Sequence, residues 1–250
     1  MTLSVIIITK NEAANIRACL ESVEWADEII VVDSGSTDDT VSICKEMGAQ
    51  VQVHADWPGF GPQKNRALDY ASKDWVFSID ADERVTPELR AAIEAALRND
   101  VGTCAAYRIS RRSSYCGRFM RHSGWYPDHI VRLFKRDVAR FSDDLVHERL
   151  LVEGKIGQLD GKLLHYAFED FEEVLHKMNH YSTAGAQMMQ ARGRQASLLG
   201  AVLRGLWSFI RTYFLRAGFL DGCEGFMLAV SNAEGTYYRY LKLRLLNKKS

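Results

Sequence analysis

The first hundred residues alternate short apolar runs with segments of helical periodicity. The runs Ser4–Thr9, Glu28–Val32 and Asp74–Ile79 are rich in β-branched and aromatic residues, which is typical of buried strands. Between the first two runs, apolar residues recur at the spacing of one helix face: Ile16, Cys19, Leu20 and Val23. This alternation of strand and helix predicts an α/β domain with a parallel sheet.

Polar residues mark where the helices of this region should begin. Asn11 is the predicted N-cap of the first helix, and Ser36 or Thr37 is the predicted cap of a second helix that begins near Asp38. The segment 86–88, Thr-Pro-Glu, predicts the start of a third helix, since proline is favoured in a first helical turn.

The rest of the chain changes character twice. Residues 101–170 are mixed, with a strand near Ala105–Ser110 followed by the polar segment Arg111–Gly124. From Phe171 onward the pattern is helical. We therefore divide the chain into segments 1–100, 101–170 and 171–250, the first two forming one domain and the third an extension.

Carboxylates follow two of the predicted strands. Asp33 follows the second run, and Asp80 and Asp82 follow the third. The ends of parallel strands meet at one edge of a sheet, where open α/β sheets bind ligands. Carboxylate and phosphate oxygens are preferred ligands of Mg²⁺ and Mn²⁺, so this edge is a candidate metal and nucleotide site.

Four sequence motifs of this chain resemble those of a known enzyme family. Thr9–Glu12, Asp33–Asp38, Gly59–Arg66 and Asp80–Asp82 occur in the order and spacing of family 2 glycosyltransferases. More narrowly, the chain resembles the bacterial lipopolysaccharide inner-core β-glucosyltransferases, to near residue 245. The resemblance implies an inverting enzyme with the GT-A fold, which has a mostly parallel nucleotide-binding sheet flanked by helices, here with a helical C-terminal extension. Segment 1–100 would bind the nucleotide sugar and segment 101–170 the acceptor.

The resemblance also assigns the donor pocket. Asp33 would lie near the uracil of a UDP-sugar, and Thr9, Asn11 and Glu12 would line the same pocket. Lys64 and Arg66 can meet the diphosphate, because both are cations in the Gly59–Arg66 motif.

In the family, the second aspartate of the Asp80-Ala81-Asp82 motif binds Mg²⁺ or Mn²⁺, and the first contacts the ribose or metal-bound water. These roles pass to Asp82 and Asp80, with Ala81 between them. His165 follows an apolar run and is the candidate additional ligand; the alternative is a structural histidine. A divalent cation would stabilise the diphosphate as it leaves.

Inversion in one displacement requires a single general base. Glu148 in the segment Val146–Arg149 is the first choice, and His147 is an alternative base or an orienting partner. Asp128 is held in reserve. Nearby, Trp125 suits stacking on a sugar ring or packing in a core.

The expected function is transfer of a hexose, glucose by resemblance, from a UDP-sugar to a lipopolysaccharide-core or other membrane-linked glycan. A nucleotidyltransferase also needs carboxylates and Mg²⁺, but it usually has a Gly-rich basic loop where this chain has Thr9–Glu12. A non-catalytic sugar-nucleotide-binding protein is the third possibility. A Rossmann dehydrogenase is disfavoured because no G-x-G-x-x-G follows the first strand.

Composition fits a cytoplasmic enzyme with reduced thiols. The chain is 47% hydrophobic and 26% charged, and its five cysteines are scattered without C-x-x-C spacing. The N-terminus enters a strand directly, so we expect no signal peptide. No charge-free apolar run approaches about 18 residues, so we expect no transmembrane helix.

The net charge of zero hides an asymmetry. From Arg192 to the C-terminus, ten basic residues face three acidic ones, a net charge of +7. An apolar stripe from Leu199 to Phe214 carries Arg204 and Arg211 on another face. It is either a helix packed on the core or a peripheral helix on the anionic cytoplasmic face of the inner membrane. No motif supports nucleic-acid binding.

Overall fold

The computed structural model describes residues 1–99, 102–143 and 149–248. The chain forms two compact units. The first, the sheet unit, comprises Met1–Arg111 and Asp128–His165; the second, the helical unit, comprises Arg112–Pro127 and Tyr166–Ser250. The predicted segment 101–170 is thus shared between the two units, and its predicted acceptor-binding role stays a prediction.

The parallel part of the sheet is formed by the N-terminal strands. In spatial order these are β3 (Gln50–Val53), β2 (Glu28–Asp33), β1 (Leu3–Thr9) and β4 (Trp75–Ser78). All three pairings between them are parallel. The strands at these apolar runs, the α/β class and the parallel sheet are therefore as predicted.

The other strands extend this sheet, largely through antiparallel pairs. Beyond β4 lie β8 (Asp128–Lys135), β6 (Ala106–Tyr115), β11 (Ile156–His165) and β5 (Glu83–Val85). Strand β6 runs through the first part of the predicted polar segment, because Arg111 pairs with Asp128 and Ser114 pairs with Phe119 of β7 (Arg118–Phe119). Two short strands, β9 (Ala139–Phe141) and β10 (Leu150–Val152), form a separate antiparallel pair.

Strands β1, β2 and β4 are largely buried on both faces, which explains why they are largely apolar. Side chains alternate between faces along a strand. Val5, Ile7 and Phe77 accordingly lie in one cluster with α1 (Ile16–Val23) and α4 (Pro87–Arg98). The alternate positions form a second cluster with α3 (Phe60–Tyr70): Ile6, Ile30, Val32 and Val76.

One of the three predicted helix starts is confirmed and two are wrong. Thr86 caps α4 by accepting a hydrogen bond from the Leu89 amide. Asn11 does not cap α1, which begins at Ile16. Ser36 and Thr37 do not cap α2 (Thr40–Glu46). Their side chains bond to other loop residues, a long-range alternative to capping that local sequence does not reveal.

The C-terminal part is helical, as predicted, from Phe171. It contains α5 (Phe171–Ala191), α6 (Leu198–Ile210) with a π-helical continuation Arg211–Leu215, and α7 (Gly222–Asn247). Helices α6 and α7 approach closely at Gly205, where a Cβ atom would lie 3.1 Å from the Ala233 carbonyl oxygen.

By length and composition alone, the segment Leu198–Leu215 could cross a membrane, and 22% of it is buried. The sequence expectation of no such segment relied on a charge-free run, whereas these 18 residues include Arg204 and Arg211.

Candidate active site

The parallel strands end at one edge of the sheet. Thr9, the last residue of β1, is in register with Asp33, the last residue of β2. Ser78 ends β4 opposite Ile6 of β1, and Asp80 follows two residues later. This register places Asp33 and the Asp80–Asp82 motif at the same edge.

Two loops at this edge are locked together by short polar side chains. The backbone amide of Asn11 donates a hydrogen bond to Ser36 Oγ at 2.8 Å. Asn11 Oδ1 in turn accepts a hydrogen bond from the backbone amide of Thr37, also at 2.8 Å. Asp33 is 0% exposed and accepts from the Gly35 and Ser36 amides, each at 2.9 Å. Asp33 therefore shapes its own loop here, and its contact with a uracil stays a prediction.

Thr9 and Glu12 are the other predicted donor-pocket residues. Thr9 is buried, and its Oγ1 has no hydrogen-bond partner within the described residues. An unsatisfied buried hydroxyl costs free energy, which a bound polar ligand would recover. The Glu12 amide donates to Thr40 Oγ1 at 2.8 Å, so the first loop is also tied to α2.

The two cations of the third motif have different surroundings. Helix α3 begins after Gly59, whose φ of +117° suits glycine. Lys64 is 6% exposed, and its Nζ lies 3.1 Å from Asp80 Oδ1. Arg66 instead pairs with Asp56 at 2.5 Å and with Gln63 at 3.0 Å. Of the two, Lys64 is thus the one that the structure brings to the Asp80–Asp82 motif.

Asp80 belongs to a buried network of alternating charges. Arg132 Nη2 donates to Asp80 and to Glu83 Oε1, the latter at 2.8 Å. Arg111 lies 3.4 Å from Glu83 and 2.7 Å from Asp128. Glu83 is fully buried and Arg132 is 6% exposed. Burial of charge is tolerated here because each charged group has an opposite partner.

The network fixes the protonation of its members. Burial alone would raise the pKa of Asp80, but Arg132 and Lys64 outweigh it and hold that pKa well below its usual range. Burial lowers the pKa of Arg132, but Asp80 and Glu83 reverse this and raise it. Burial also raises the pKa of Glu83, against the opposing effect of Arg132. Asp80 is therefore ionised, and its negative charge is paired with Lys64 and Arg132.

Asp82 differs from Asp80. Its Oδ2 lies 3.3 Å from His165 Nε2, and the two side chains are 27% and 19% exposed. Strand pairing explains this contact, because His165 of β11 is in register with Glu83 of β5, the residue after Asp82. Between them, Ala81 is 4% exposed, and its carbonyl oxygen accepts from Arg84 at 2.9 Å.

This pair fits the role of a partial metal site. Within residues 1–99, 102–143 and 149–248, no three His, Cys, Asp or Glu side chains form a metal-binding cluster. Mg²⁺ is commonly held by one or two carboxylates together with substrate phosphates and water rather than by an all-protein cage. Asp82, with His165 beside it, offers that donor set.

Of the three candidate general bases, the described residues include Asp128 alone. Glu148 and His147 lie outside the described residues. The reserve candidate, Asp128, is 40% exposed at its side chain and is held by Arg111. Trp125 packs edge-on against Tyr115 with ring centroids 5.7 Å apart, which is the packing alternative.

Glu83 and Arg111 are the functional-site residues that sequence reasoning missed. Glu83 is adjacent to the Asp80–Asp82 motif, and a carboxylate this close to a strand end could have been singled out. Arg111 carries no local signal, since β6 brings it to Glu83 across 28 residues.

The chain belongs to Glycosyl transferase family 2, whose profile matches residues 4–147. It is similar to the lipopolysaccharide core biosynthesis glycosyltransferase LpsC of Rhizobium meliloti, with 32% identity over 93% of this chain and 88% of that protein. The structure is similar to that of TarS fragment 1–349 from S. aureus over 100% of this chain and 92% of that chain, with 17% identity and a TM-score of 0.51.

A shorter likeness concerns glucosyl-3-phosphoglycerate synthase of Mycobacterium tuberculosis in complex with Mn²⁺, UDP and glucosyl-3-phosphoglycerate. It has 32% identity over 46% of this chain and 44% of that chain, with a TM-score of 0.36. The Mn²⁺ and UDP in that complex are ligands of that enzyme alone.

The predicted family and the GT-A fold class are confirmed, and the protein is a glycosyltransferase. Family membership disfavours the nucleotidyltransferase alternative.

Asp80→Asn should lower the free energy of unfolding by about 1.5–3 kcal/mol at neutral pH, because it removes a charged partner of Arg132 and Lys64. A depressed carboxyl pKa contributes stability above its ordinary value and loses it as pH falls, so the difference from wild type should shrink below about pH 5. Urea unfolding between neutral pH and the acid range measures both effects.

Asp69→Asn is the matched control, since its partner Arg140 and Asp69 itself are both more than half exposed. Its effect should be within about 1 kcal/mol. A pH-independent difference for Asp80→Asn would contradict the assigned ionisation.

Proposed function

We propose that this glycosyltransferase moves a hexose, glucose by the narrower resemblance, from a UDP-sugar to a hydroxyl of a lipopolysaccharide-core or other membrane-linked glycan, with inversion. The observation that carries the proposal is the unequal pairing of the two aspartates. Asp80 is neutralised by Lys64 and Arg132, whereas among the described residues the ion-pair partner of Asp82 is His165. The name of the similar LpsC supports the acceptor class.

The pairing suggests separate tasks for the two carboxylates. Asp80 is held rigidly and keeps Lys64 directed at the sheet edge where a diphosphate would lie. Asp82, with His165, would hold Mg²⁺ or Mn²⁺. When bound, such an ion supplies positive charge that stabilises the departing diphosphate. Lys64 adds a second positive charge from the protein itself.

Donor recognition is proposed for the two locked loops. The orphaned Thr9 hydroxyl offers a hydrogen-bonding group, and the Asn11–Thr37 bond holds the first loop in place. Preorganisation of this kind lowers the entropic cost of binding. Asp33 and Glu12 would complete the pocket, and Arg66 would act at the diphosphate only after leaving Asp56.

On the acceptor side, a hydroxyl must lose its proton as it attacks the anomeric carbon from the face opposite the diphosphate. We propose Glu148 for this proton, with His147 as the alternative. The engagement of Asp128 with Arg111 makes Asp128 the weaker candidate.

We also propose that the helical unit docks on the anionic cytoplasmic face of the inner membrane. Helix α6 packs on α7 through small residues, since Ala201, Gly205 and Ser208 are its buried positions. Its large apolar side chains stay exposed: Leu198, Leu199, Val202, Leu203, Leu206, Trp207, and, in the continuation, Phe214 and Leu215. An exposed apolar face flanked by arginines is typical of an interfacial helix.

Asp82→Asn should reduce turnover by about 10²–10³-fold, because transition-state charge on the diphosphate loses its counter-charge. It should also weaken Mn²⁺ binding in the presence of UDP, measured by calorimetry. Asp137→Asn, an exposed aspartate paired with Arg136, is the matched control and should match wild type in both assays. Wild-type turnover of Asp82→Asn, or no effect of EDTA, would contradict the metal role.

Glu148→Gln should lower turnover by about 10²–10⁴-fold with donor affinity nearly unchanged, because only proton removal is affected. Single-turnover rates and UDP-sugar binding separate the two quantities. Asp128→Asn and His147→Gln serve as comparisons in the same assay. A defect confined to donor binding would remove Glu148 from the role of base.

Flotation with vesicles tests the membrane proposal. Wild type should float with anionic vesicles at low salt and release as salt rises, because each basic residue near the surface contributes about 1 kcal/mol that salt screens. Leu199→Ser with Leu203→Ser should weaken binding at least about tenfold, since burying a leucine contributes about 1.5–3 kcal/mol. Leu151→Ser in the sheet unit, 55% exposed like Leu203, is the control. Absence of flotation with every vesicle type at low salt would overturn the proposal.

A further inference from the structure

The helical unit contains a cavity of about 420 Å³. It lies between α5, α6 with its π-helical continuation, α7 and the loop at residues 123–125. Four cations line it: Lys177 from α5, Arg211 and Arg216 from the α6 continuation and its end, and Arg239 from α7. No aspartate or glutamate is among its lining residues in the described chain.

Three of these four cations have no anionic partner. Lys177 pairs with Glu173 at 2.6 Å and lies 4.8 Å above the Phe168 ring. By contrast, the side chains of Arg211, Arg216 and Arg239 make no ion pair and no hydrogen bond to any residue in 1–99, 102–143 or 149–248. Three unneutralised guanidinium groups around one concavity repel one another, and an anion placed between them would relieve that repulsion.

Two glycines leave room for the arginine side chains. Gly124 has a φ of +79°, and a Cβ atom there would overlap the Arg216 guanidinium. A Cβ atom at Gly185 would lie 2.9 Å from Arg239 Nε. The chain thus has no side chain at the two positions where one would displace an arginine from the cavity wall.

The cavity wall suits an amphiphilic ligand. Several of its hydroxyls are already bonded within the protein, for example Ser231 to Tyr115 at 2.8 Å and Ser208 to the Asn232 carbonyl at 3.2 Å. Val174 and Leu228 add an apolar part to the wall. The arginines supply the positive charge for a ligand, and planar guanidinium groups match phosphate oxygens in paired hydrogen bonds.

The neighbours of these arginines point to a lipid. Phe214 and Leu215 lie in sequence between Arg211 and Arg216 and are 56% and 65% exposed. Phe219 and Leu220 follow and are also at least half exposed. Two of the four cavity cations, Arg211 and Arg216, thus share one short segment with exposed apolar side chains.

We infer that this cavity binds the phosphate headgroup of an anionic phospholipid. The inference rests on the proposed membrane docking and adds a specific site to it. Docking by charge alone would favour any anionic surface, whereas this cavity would distinguish phosphate from another anion of equal charge.

The experiment compares vesicles of equal surface charge containing either phosphatidylglycerol or the phosphate-free cholesteryl hemisuccinate. Wild type should bind the phosphatidylglycerol vesicles about tenfold more tightly, as expected for one charged hydrogen bond or more. Arg211→Gln with Arg239→Gln should abolish that preference. Arg204→Gln is the matched control, because Arg204 is on the same helix but lies 4.7 Å over the Tyr240 ring and does not line the cavity. It should weaken binding to both vesicle types and keep their ratio.

A second measurement does not depend on membrane docking. Monomeric dihexanoyl phosphatidylglycerol should raise the melting temperature of wild type and Arg204→Gln but not of the double variant. Without ligand the double variant should melt no lower than wild type, since it loses only unpaired like charges.

The outcomes separate the two proposals. An unchanged phosphatidylglycerol preference in the double variant overturns the cavity inference and leaves docking intact. Binding of the short-chain lipid without flotation keeps the cavity and overturns docking. Equal stabilisation by inorganic phosphate and by the short-chain lipid overturns the lipid assignment.

Discussion

The site depends on one buried cation, Arg132, which bridges Asp80 and Glu83. A guanidinium that is almost fully buried is stable only when opposite charges compensate it. Arg132 has two carboxylate partners, although its Nε has no hydrogen-bond partner among the described residues. These two ion pairs hold together three parts of the sheet unit. Strand β8 carries Arg132, the turn after β4 carries Asp80, and β5 carries Glu83. Arg111 of β6 extends the same network to Asp128. The position of the Asp80–Asp82 motif is therefore fixed by charge pairing as well as by strand register.

This pairing makes two neighbouring aspartates chemically different. Asp80 has its charge compensated and its pKa held low, so it serves best as a fixed anchor. Asp82, two residues later, is more weakly paired and is partly exposed beside His165. A carboxylate that is not ion-paired with an arginine or a lysine can bind a divalent ion instead. The motif thus has one firmly paired carboxylate and one partly exposed carboxylate, and we propose the second as the metal ligand.

The helical unit shows the opposite use of charge. Within the part of the chain that the structure describes, Arg211 and Arg216 near the end of α6 have no ion-pair partner, and large apolar side chains beside them stay exposed. Exposed apolar area costs free energy in water, and an anionic lipid surface would cover that area and attract the arginines. Within the same unit, Asp221 is buried and accepts from the Arg121 and His122 amides at 3.0 and 2.9 Å. Carboxylates are thus used to fix the backbone while the arginines remain available.

The sequence by itself determined the strands β1, β2 and β4, the parallel sheet, the helical C-terminal part and the family, because periodicity and local motifs are short-range properties. It also brought Asp33 and Asp80 to one edge through the order of the strands. Other features came only from the tertiary structure: the true partners of Asn11, Ser36 and Thr37, the burial of Asp33 and the roles of Glu83 and Arg111. Each of these depends on contacts between residues far apart in sequence, such as Arg132 with Asp80 across 52 residues. Electrostatic pairing acts through space, and a single sequence does not record which charges meet.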